Sequence, residues 1–283
     1  METYFQDFNL VKLVRVVRFS AGHRYGFSDR STQENKRIFG NWFSPFSHGH
    51  NYTLEVGAIG PVEEKSGMVI NIKTIDSILQ SAIVETYDGK SLNDEVPPFE
   101  RIAPTLENLL LDIRNRLECQ ELPPPIQWCT LKLAEMPGLY AELRWDSLIQ
   151  TMTLTRSYEF AASHRLHSPD LTDEENLKLF GKCNNVHGHG HNYVLEVTVT
   201  GDPDPTTGML VDLKALDEVI EREIVDRYDH RNLNLDVPEF ADKNPTSEIV
   251  AQQIFSRLDG ILPATLTRVR LYETARNLFE VSR

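Results

Sequence analysis

The chain has 283 residues, room for two domains of ordinary size, and 29 basic against 42 acidic side chains give it a formal charge of −13. That balance excludes a general grip on nucleic acid, which needs a clustered excess of Lys and Arg, whereas the longest basic run is Lys36-Arg37. Apolar residues at 40% are ample for packed cores, and a small anionic substrate remains compatible, since a few local cations hold one whatever the net charge.

The opening Met1-Glu2-Thr3-Tyr4-Phe5-Gln6-Asp7 has no basic stretch leading into an apolar one, so no secretory signal is expected. No window approaches the roughly eighteen consecutive apolar residues of a membrane span, and the expected address is cytoplasmic. Next, Phe19-Ser20-Ala21-Gly22-His23-Arg24 returns as Phe160-Ala161-Ala162-Ser163-His164-Arg165, an offset of 141 from His23 to His164. The same offset carries His48-Gly49-His50-Asn51-Tyr52 onto His189-Gly190-His191-Asn192-Tyr193, Gly67-Met68 onto Gly208-Met209, Tyr87-Asp88 onto Tyr228-Asp229, and Glu107 onto Glu248. Near the end the offset falls to 138, with Leu133-Ala134-Glu135 on Leu271-Tyr272-Glu273, so the first half holds three extra residues around Pro123-Pro124-Pro125. The chain therefore reads as a tandem duplication joined near Trp145-Asp146-Ser147 almost without a linker, with domains at 1–146 and 147–283.

Elements are plainest in the second copy. Thr151 to Phe160 is rich in β-formers, and Tyr193 to Thr200 continues in that vein until Gly201-Asp202-Pro203. From Val211 to Tyr228 the spacing of Leu213, Leu216, Ile220, Ile224 and Tyr228 predicts a helix. A second helix is expected to open with Asn244 as its cap and Pro245 at its first position, running through Ile249, Ile254, Phe255 and Leu258. Thr267 to Glu273 alternates as a closing strand. This order predicts an α+β fold: two tandem copies of an antiparallel four-stranded sheet with two helices on one face.

His189 and His191 lie two apart in a segment leading into a strand, which turns both imidazoles to one face, and His164 arrives from the neighbouring strand. Three histidines around an open fourth position is the arrangement of a catalytic zinc, whereas structural zinc closes its shell with four ligands. Read alone, His-Gly-His is also an ordinary polar turn. Duplication favours the ligand reading, because His23, His48 and His50 repeat the set in a chain with nine histidines in all. The run His187-Gly188-His189-Gly190-His191 contains two such pairs, and the repeat register selects the later one, since His187 falls on Phe46. Three cysteines, Cys119, Cys129 and Cys183, are too few for a disulfide framework. Cys183, six residues before His189, is either a thiol ionised by a nearby cation, and so a base or nucleophile, or a small buried apolar residue. Asp229-His230 either tunes such a thiol or ends a helix.

Together these residues resemble the 6-pyruvoyl tetrahydropterin synthase family. The likeness rests on Phe-Ala-Ala-Ser-His-Arg-Leu (160–166), Cys-Asn-Asn-Val-His-Gly-His-Gly-His-Asn-Tyr (183–193), Gly-Met-Leu-Val-Asp-Leu (208–213), Asp-His-Arg-Asn-Leu-Asn (229–234), Pro-Thr-Ser-Glu (245–248) and Tyr-Glu-Thr (272–274). It implies zinc on His164, His189 and His191, Cys183 as the proton-abstracting thiol, and Asp229 and His230 as its relay. It further implies Glu273 as anchor of the pterin ring, with Thr246, Ser247 and Glu248 lining the pocket. The implied activity is that of a zinc-dependent lyase of tetrahydrobiopterin biosynthesis, converting 7,8-dihydroneopterin triphosphate to 6-pyruvoyl tetrahydropterin with loss of triphosphate. The first module resembles the family more weakly. It keeps His23, His48, His50, Asp88, Glu107 and Glu135, but Trp42 stands where Cys183 would be and Gly89 where His230 would be, so it is expected to hold a second zinc without turnover. The resemblance also implies a homo-oligomer in which rings of three modules close their sheets into a tunnelling-fold barrel. Three alternatives stay open: 6-carboxytetrahydropterin synthase of the 7-deazaguanine (queuosine) route, whose cysteine-to-histidine gap of four exists between Cys183 and His187, supply of a folate precursor through a related side-chain cleavage, and a non-catalytic zinc or pterin binder.

Overall fold

The computed structural model describes residues 10–283, so the opening Met1–Asp7 lies outside the described residues. The chain forms two compact units, the first comprising residues up to Leu154 together with Asp202–Leu210, the second Thr155–Gly201 and Val211–Arg283.

In the first unit, β1 (Leu10–His23) and β2 (His48–Pro61) pair antiparallel without a break, from Leu10 opposite Pro61 to His23 opposite His48. The two-residue β3 (Lys90–Ser91) runs parallel to β1, while β4 (Gln127–Met136) and β5 (Leu139–Trp145) extend the sheet antiparallel from β2. Period-two alternation turns Tyr52, Leu54, Val56 and Ala58 inward, where all are buried. The helix Leu106–Glu118 covers that face with Leu109, Leu110, Ile113 and Leu117, each fully buried and worth roughly 1.5–3 kcal/mol.

The second unit repeats the plan with β6 (Gln150–His164), β7 (His189–Thr200), β8 (Arg231–Asn232), β9 (Thr265–Thr274) and β10 (Asn277–Ser282), in the order β10-β9-β7-β6 with β8 parallel to β6. The helix Leu213–Ile220 continues through a π turn at Glu221–Val225 into Asp226–Tyr228. The reason lies in its apolar row: Leu216, Ile220, Ile224 and Tyr228 are all fully buried at a strict spacing of four, which drifts around a helix of 3.6 residues per turn unless a wider turn restores it.

The fold departs from expectation at several points. The second helix begins at Ser247 with Thr246 as its cap, not at Asn244-Pro245, because the Pro245 carbonyl is committed to His164. The expected fourth antiparallel strand is β10, which follows β9 through a short hairpin and was not located in sequence, since its half-exposed alternation is a weak signal. Helices Thr32–Phe39 and Asp173–Phe180 stand between the first two strands of each copy, announced by capping boxes at Ser31/Glu34 and Thr172/Glu175 rather than by apolar spacing. Among the described residues no helix is long and apolar enough to cross a membrane.

Candidate active site

In the second unit His164 ends β6 while His189 and His191 open β7, and one ligand atom from each lies within 4.8 Å of the others. His164 is fully buried, and its Nδ1 donates to the Pro245 carbonyl at 2.8 Å. That bond fixes the tautomer and leaves the Nε2 lone pair facing His189 Nε2 at 3.2 Å. Burial, its foremost cause, lowers the pKa of both His164 and His189, so these imidazoles are held neutral, as metal ligands must be. His191 Nε2 and His189 Nδ1 are buried with no protein partner, which costs free energy unless something else occupies them. Three converging imidazoles, with buried nitrogens left unsatisfied by hydrogen bonds, fit a divalent metal such as zinc. His187 is exposed and stands outside the cluster. The turn before β7 requires Gly188, whose φ is +72° and whose added Cβ would meet the His164 carbonyl oxygen at 2.9 Å.

Glu273, on β9, stands 3.7 Å from His164 Nε2 and 3.8 Å from His191 Nε2. Ser247 Oγ donates to one of its oxygens at 2.7 Å and Asn277 Nδ2 to the other at 3.0 Å. Burial works to raise this carboxyl, but those hydrogen bonds, helped by the nearby histidines, outweigh it and hold Glu273 below the usual range. The result is an ionised, oriented carboxylate beside the histidine cluster, with lone pairs left for a bidentate donor. Thr246 caps the helix below, and Glu248 is exposed on its first turn.

Cys183 sits half-buried in the turn Gly181–Asn184. The turn is tied to the exit of β6 by Leu166 N–H donating to the Cys183 carbonyl at 2.9 Å and by Arg165 Nε donating to the Asn184 carbonyl at 3.2 Å. Asp229 anchors to the Ala161 N–H at 2.7 Å and accepts from His230 Nδ1 at 2.7 Å, which leaves His230 Nε2 free as an acceptor. Among the described residues His230 is the non-glycine residue with positive φ, at +56°, and its side chain is 85% exposed. It lines a cavity of about 460 Å³ with Ala162, Ser163, His191, Arg231 and Asn232, and Cys183 is not part of that lining. The structure thus brings together the three histidines, Glu273 and Ser247, and separately Asp229 with His230, but makes no hydrogen bond from Cys183 to that pair among the described residues. Arg165 and Asn184, which hold the Cys183 turn, and Asn277, which orients Glu273, were missed in sequence. Asn277 carried no signal, since its role depends on a hairpin.

The first unit keeps the histidine geometry and its Asp88 and Glu135 but not the residues around them. His23 Nδ1 donates to the Pro104 carbonyl at 3.0 Å, its Nε2 faces His48 Nε2 at 3.1 Å, and His50 completes a set within the same 4.8 Å limit. Burial pushes His23 down to about 4. Asp88 still accepts the Ser20 N–H at 2.8 Å, but Gly89, at φ +73°, follows it without an imidazole. Leu106 replaces Ser247, so Glu135 lacks the hydroxyl that orients Glu273. Tyr25 replaces Leu166, its ring 5.0 Å from that of His23, and burial, followed by the charge of Glu135, keeps its phenol neutral. Trp42 packs with Tyr25, Phe43 and Met209 against the buried Phe27, Phe39 and Ala103.

Comparison with known proteins gives the same twofold pattern. The family model described as 6-pyruvoyl tetrahydropterin synthase matches residues 12–146 and again 153–283. The Homo sapiens 6-pyruvoyl tetrahydrobiopterin synthase is 52% identical over 126 residues, 44% of this chain and 87% of its own length. The Drosophila melanogaster protein of that name is 50% identical over 127 residues, 44% of this chain and 76% of its own. The structure of Caenorhabditis elegans 6-pyruvoyl tetrahydropterin synthase shares 44% identity, covers 47% of this chain and 96% of that one, and has a TM-score of 0.45. With the family pattern matched over both halves, the chain belongs to the 6-pyruvoyl tetrahydropterin synthase family, as two tandem modules.

Proposed function

We infer that the second module, taken as 147–283, is a zinc-dependent lyase that converts 7,8-dihydroneopterin triphosphate to 6-pyruvoyl tetrahydropterin and releases triphosphate. The observation that carries this reading is the converging cluster of His164, His189 and His191 with Glu273 locked beside it by Ser247. Zinc held there would act as a Lewis acid, acidifying C–H and O–H bonds of the substrate side chain. Glu273 accepts two parallel N–H bonds from the guanidine-like edge of the pterin, aided by Thr246, Ser247 and Glu248, and so fixes the ring relative to the histidines. Cys183, as thiolate, removes a proton from the side-chain carbon next to the ring. The electron pair left behind moves through the ring C=N bond onto nitrogen, which takes up a proton, and the resulting enol gives up its O–H proton as the ring carbon gains one, so the ring is reduced as the side chain becomes a ketone. A second proton loss expels triphosphate by C–O cleavage, and the resulting enol becomes the second carbonyl. Asp229 and His230 relay protons at the side-chain hydroxyls, His230 Nε2 being the accepting atom. Oxidation and reduction balance within the substrate, and no nicotinamide or flavin enters.

The first module, taken as 1–146, holds metal without turnover in this reading. Trp42 abstracts no proton, Gly89 relays none, and Tyr25 and Leu106 alter the place where the second module has Leu166 and Ser247. The position of His187 outside the metal cluster disfavours the 6-carboxytetrahydropterin alternative, since the cysteine-to-ligand gap then runs from Cys183 to His189. Incubating zinc-loaded protein with 7,8-dihydroneopterin triphosphate and identifying the pterin product by mass tests the function: a pyruvoyl side chain is expected, and a carboxyl one would assign the other activity.

A further inference from the structure

The cations around the two histidine triads have different fates. In the first module Arg24, which follows His23, lays its guanidinium on Asp94, with Nη1 and Nη2 each donating to one carboxylate oxygen at 2.7 Å. Those bonds, with a further one from Ser91, hold Asp94 down to about 2, so this bidentate pair persists at neutral pH. Lys90 Nζ meets Glu95 at 3.3 Å. Asn41, before Trp42, carries no charge.

The second module makes neither capture. Leu235 stands at the position of Asp94 and is 83% exposed, so Arg165 finds no carboxylate there. Its guanidinium lies on the Cys183 turn instead, Nε donating to the Asn184 carbonyl at 3.2 Å and Nη2 standing 3.3 Å from His167 Nδ1. His167 and Asn184 replace Gly26 and Phe43, which offer no polar side chain. Arg231 takes the place of Lys90 and lines the cavity beside His191 and His230. Asp236, one methylene shorter than Glu95, accepts the Asn232 N–H at 2.8 Å and forms no ion pair with Arg231 among the described residues. Lys182 stands exposed before Cys183, where Asn41 is neutral, and its charge adds, behind burial and His191, to the depression of His189.

We propose that Arg165, Lys182 and Arg231 form a triphosphate-binding subsite, and that Asp94, Glu95 and Asn41 abolish its counterpart in the first module. Three cations without carboxylate partners, gathered around one histidine cluster in a chain of net charge −13, make a local attraction for a polyanion that a neutral ligand does not require. Arginine presents a planar fork matched to phosphate oxygens, and lysine adds a point charge. That the polyanion is the substrate's leaving group rests on the lyase reading: with the ring on Glu273 and the side chain at the histidines, the triphosphate is the part still without a partner. Its developing charge on C–O cleavage then falls on fixed cations. In the first module a polyanion would have to displace Asp94 and Glu95 and would meet their charge.

The test is a calorimetric titration of inorganic triphosphate into zinc-loaded protein, which needs no turnover. One triphosphate per chain is expected to bind. Leu235→Asp, which sets the first module's carboxylate opposite Arg165, and the double variant Lys182→Asn, Arg231→Gln are each expected to raise its Kd about tenfold or more. Leu235→Asn adds a polar side chain of similar size without charge and is expected to keep the wild-type Kd. 7,8-Dihydroneopterin, which has no phosphate, is expected to bind all of them equally, and that separates lost anion binding from a damaged fold. No binding by the wild type, two triphosphates per chain, unchanged affinity in Leu235→Asp and in the double variant, or equal losses in Leu235→Asp and Leu235→Asn would overturn the proposal. Triphosphate binding that responds as expected in a protein forming no pyruvoyl product would overturn the lyase reading and leave the polyanion subsite standing.

Discussion

His230 holds a left-handed backbone at φ +56° where the first module has Gly89 at +73°, and a non-glycine residue there costs roughly 1–2 kcal/mol. In that conformation the imidazole bonds to Asp229 at 2.7 Å, and strain of this kind concentrates at functional sites. His230→Gly is therefore expected to leave stability within about 1 kcal/mol of wild type in urea titration, while kcat falls by a factor of about 100 or more, as for loss of a general acid–base group. A variant that keeps wild-type kcat would remove His230 from the chemistry. Cys183→Ala is expected to abolish turnover while zinc content and pterin binding by calorimetry stay close to wild type, because the thiol is not among the converging ligands. Full turnover by this variant would show that another group is the base. Ser247→Ala removes the 2.7 Å bond to Glu273, and pterin affinity is expected to drop about tenfold with zinc retained; unchanged affinity in the same titration would place the pterin away from Glu273.

The helix Asp173–Phe180 leads directly into the Cys183 turn, and its capping box at Thr172 and Glu175 decides where it starts. Thr172→Ala is expected to cost about 1 kcal/mol in denaturant unfolding, and no loss would mean that packing alone fixes this helix. The two histidine-bearing strands and the long helix of each module were legible in sequence, because His164, His189 and His191 recur at the offset of His23, His48 and His50, and Leu216, Ile220 and Ile224 keep a constant spacing. The short helices were not, since Asp173–Phe180 buries only Asn176 and leaves Leu177 and Leu179 exposed, so apolar periodicity carries no trace of it. The helix start was misplaced by a physical conflict: Asn244-Pro245 is a good opening signal, but the Pro245 carbonyl serves His164, and Asn244 Oδ1 accepts from His167 N–H at 3.2 Å. Glu273 was legible through family likeness alone, because its locking partner Asn277 lies on β10, a strand too short and exposed to announce itself.

At the scale of the whole chain, duplication has kept two histidine triads that could hold metal and one copy of the Cys183, Asp229 and His230 set. Metal analysis is expected to give about two zinc ions per chain, falling to about one in His164→Ala; one ion in the wild type, unaffected by His48→Ala, would leave the first module empty. Trp42→Cys with Gly89→His is expected not to revive the first module in an assay with Cys183→Ala, since Tyr25 and Leu106 still replace Leu166 and Ser247, and recovered turnover would show those residues to be immaterial. The central claim, that the second module acts on a pterin triphosphate through zinc, is tested most directly by product analysis. Zinc-loaded wild-type protein and its His189→Ala variant are each incubated with 7,8-dihydroneopterin triphosphate, and the products are identified by mass spectrometry. The account predicts 6-pyruvoyl tetrahydropterin and free triphosphate from the wild type and unreacted substrate from the variant; unreacted substrate from both, or a carboxylated pterin from the wild type, would contradict it.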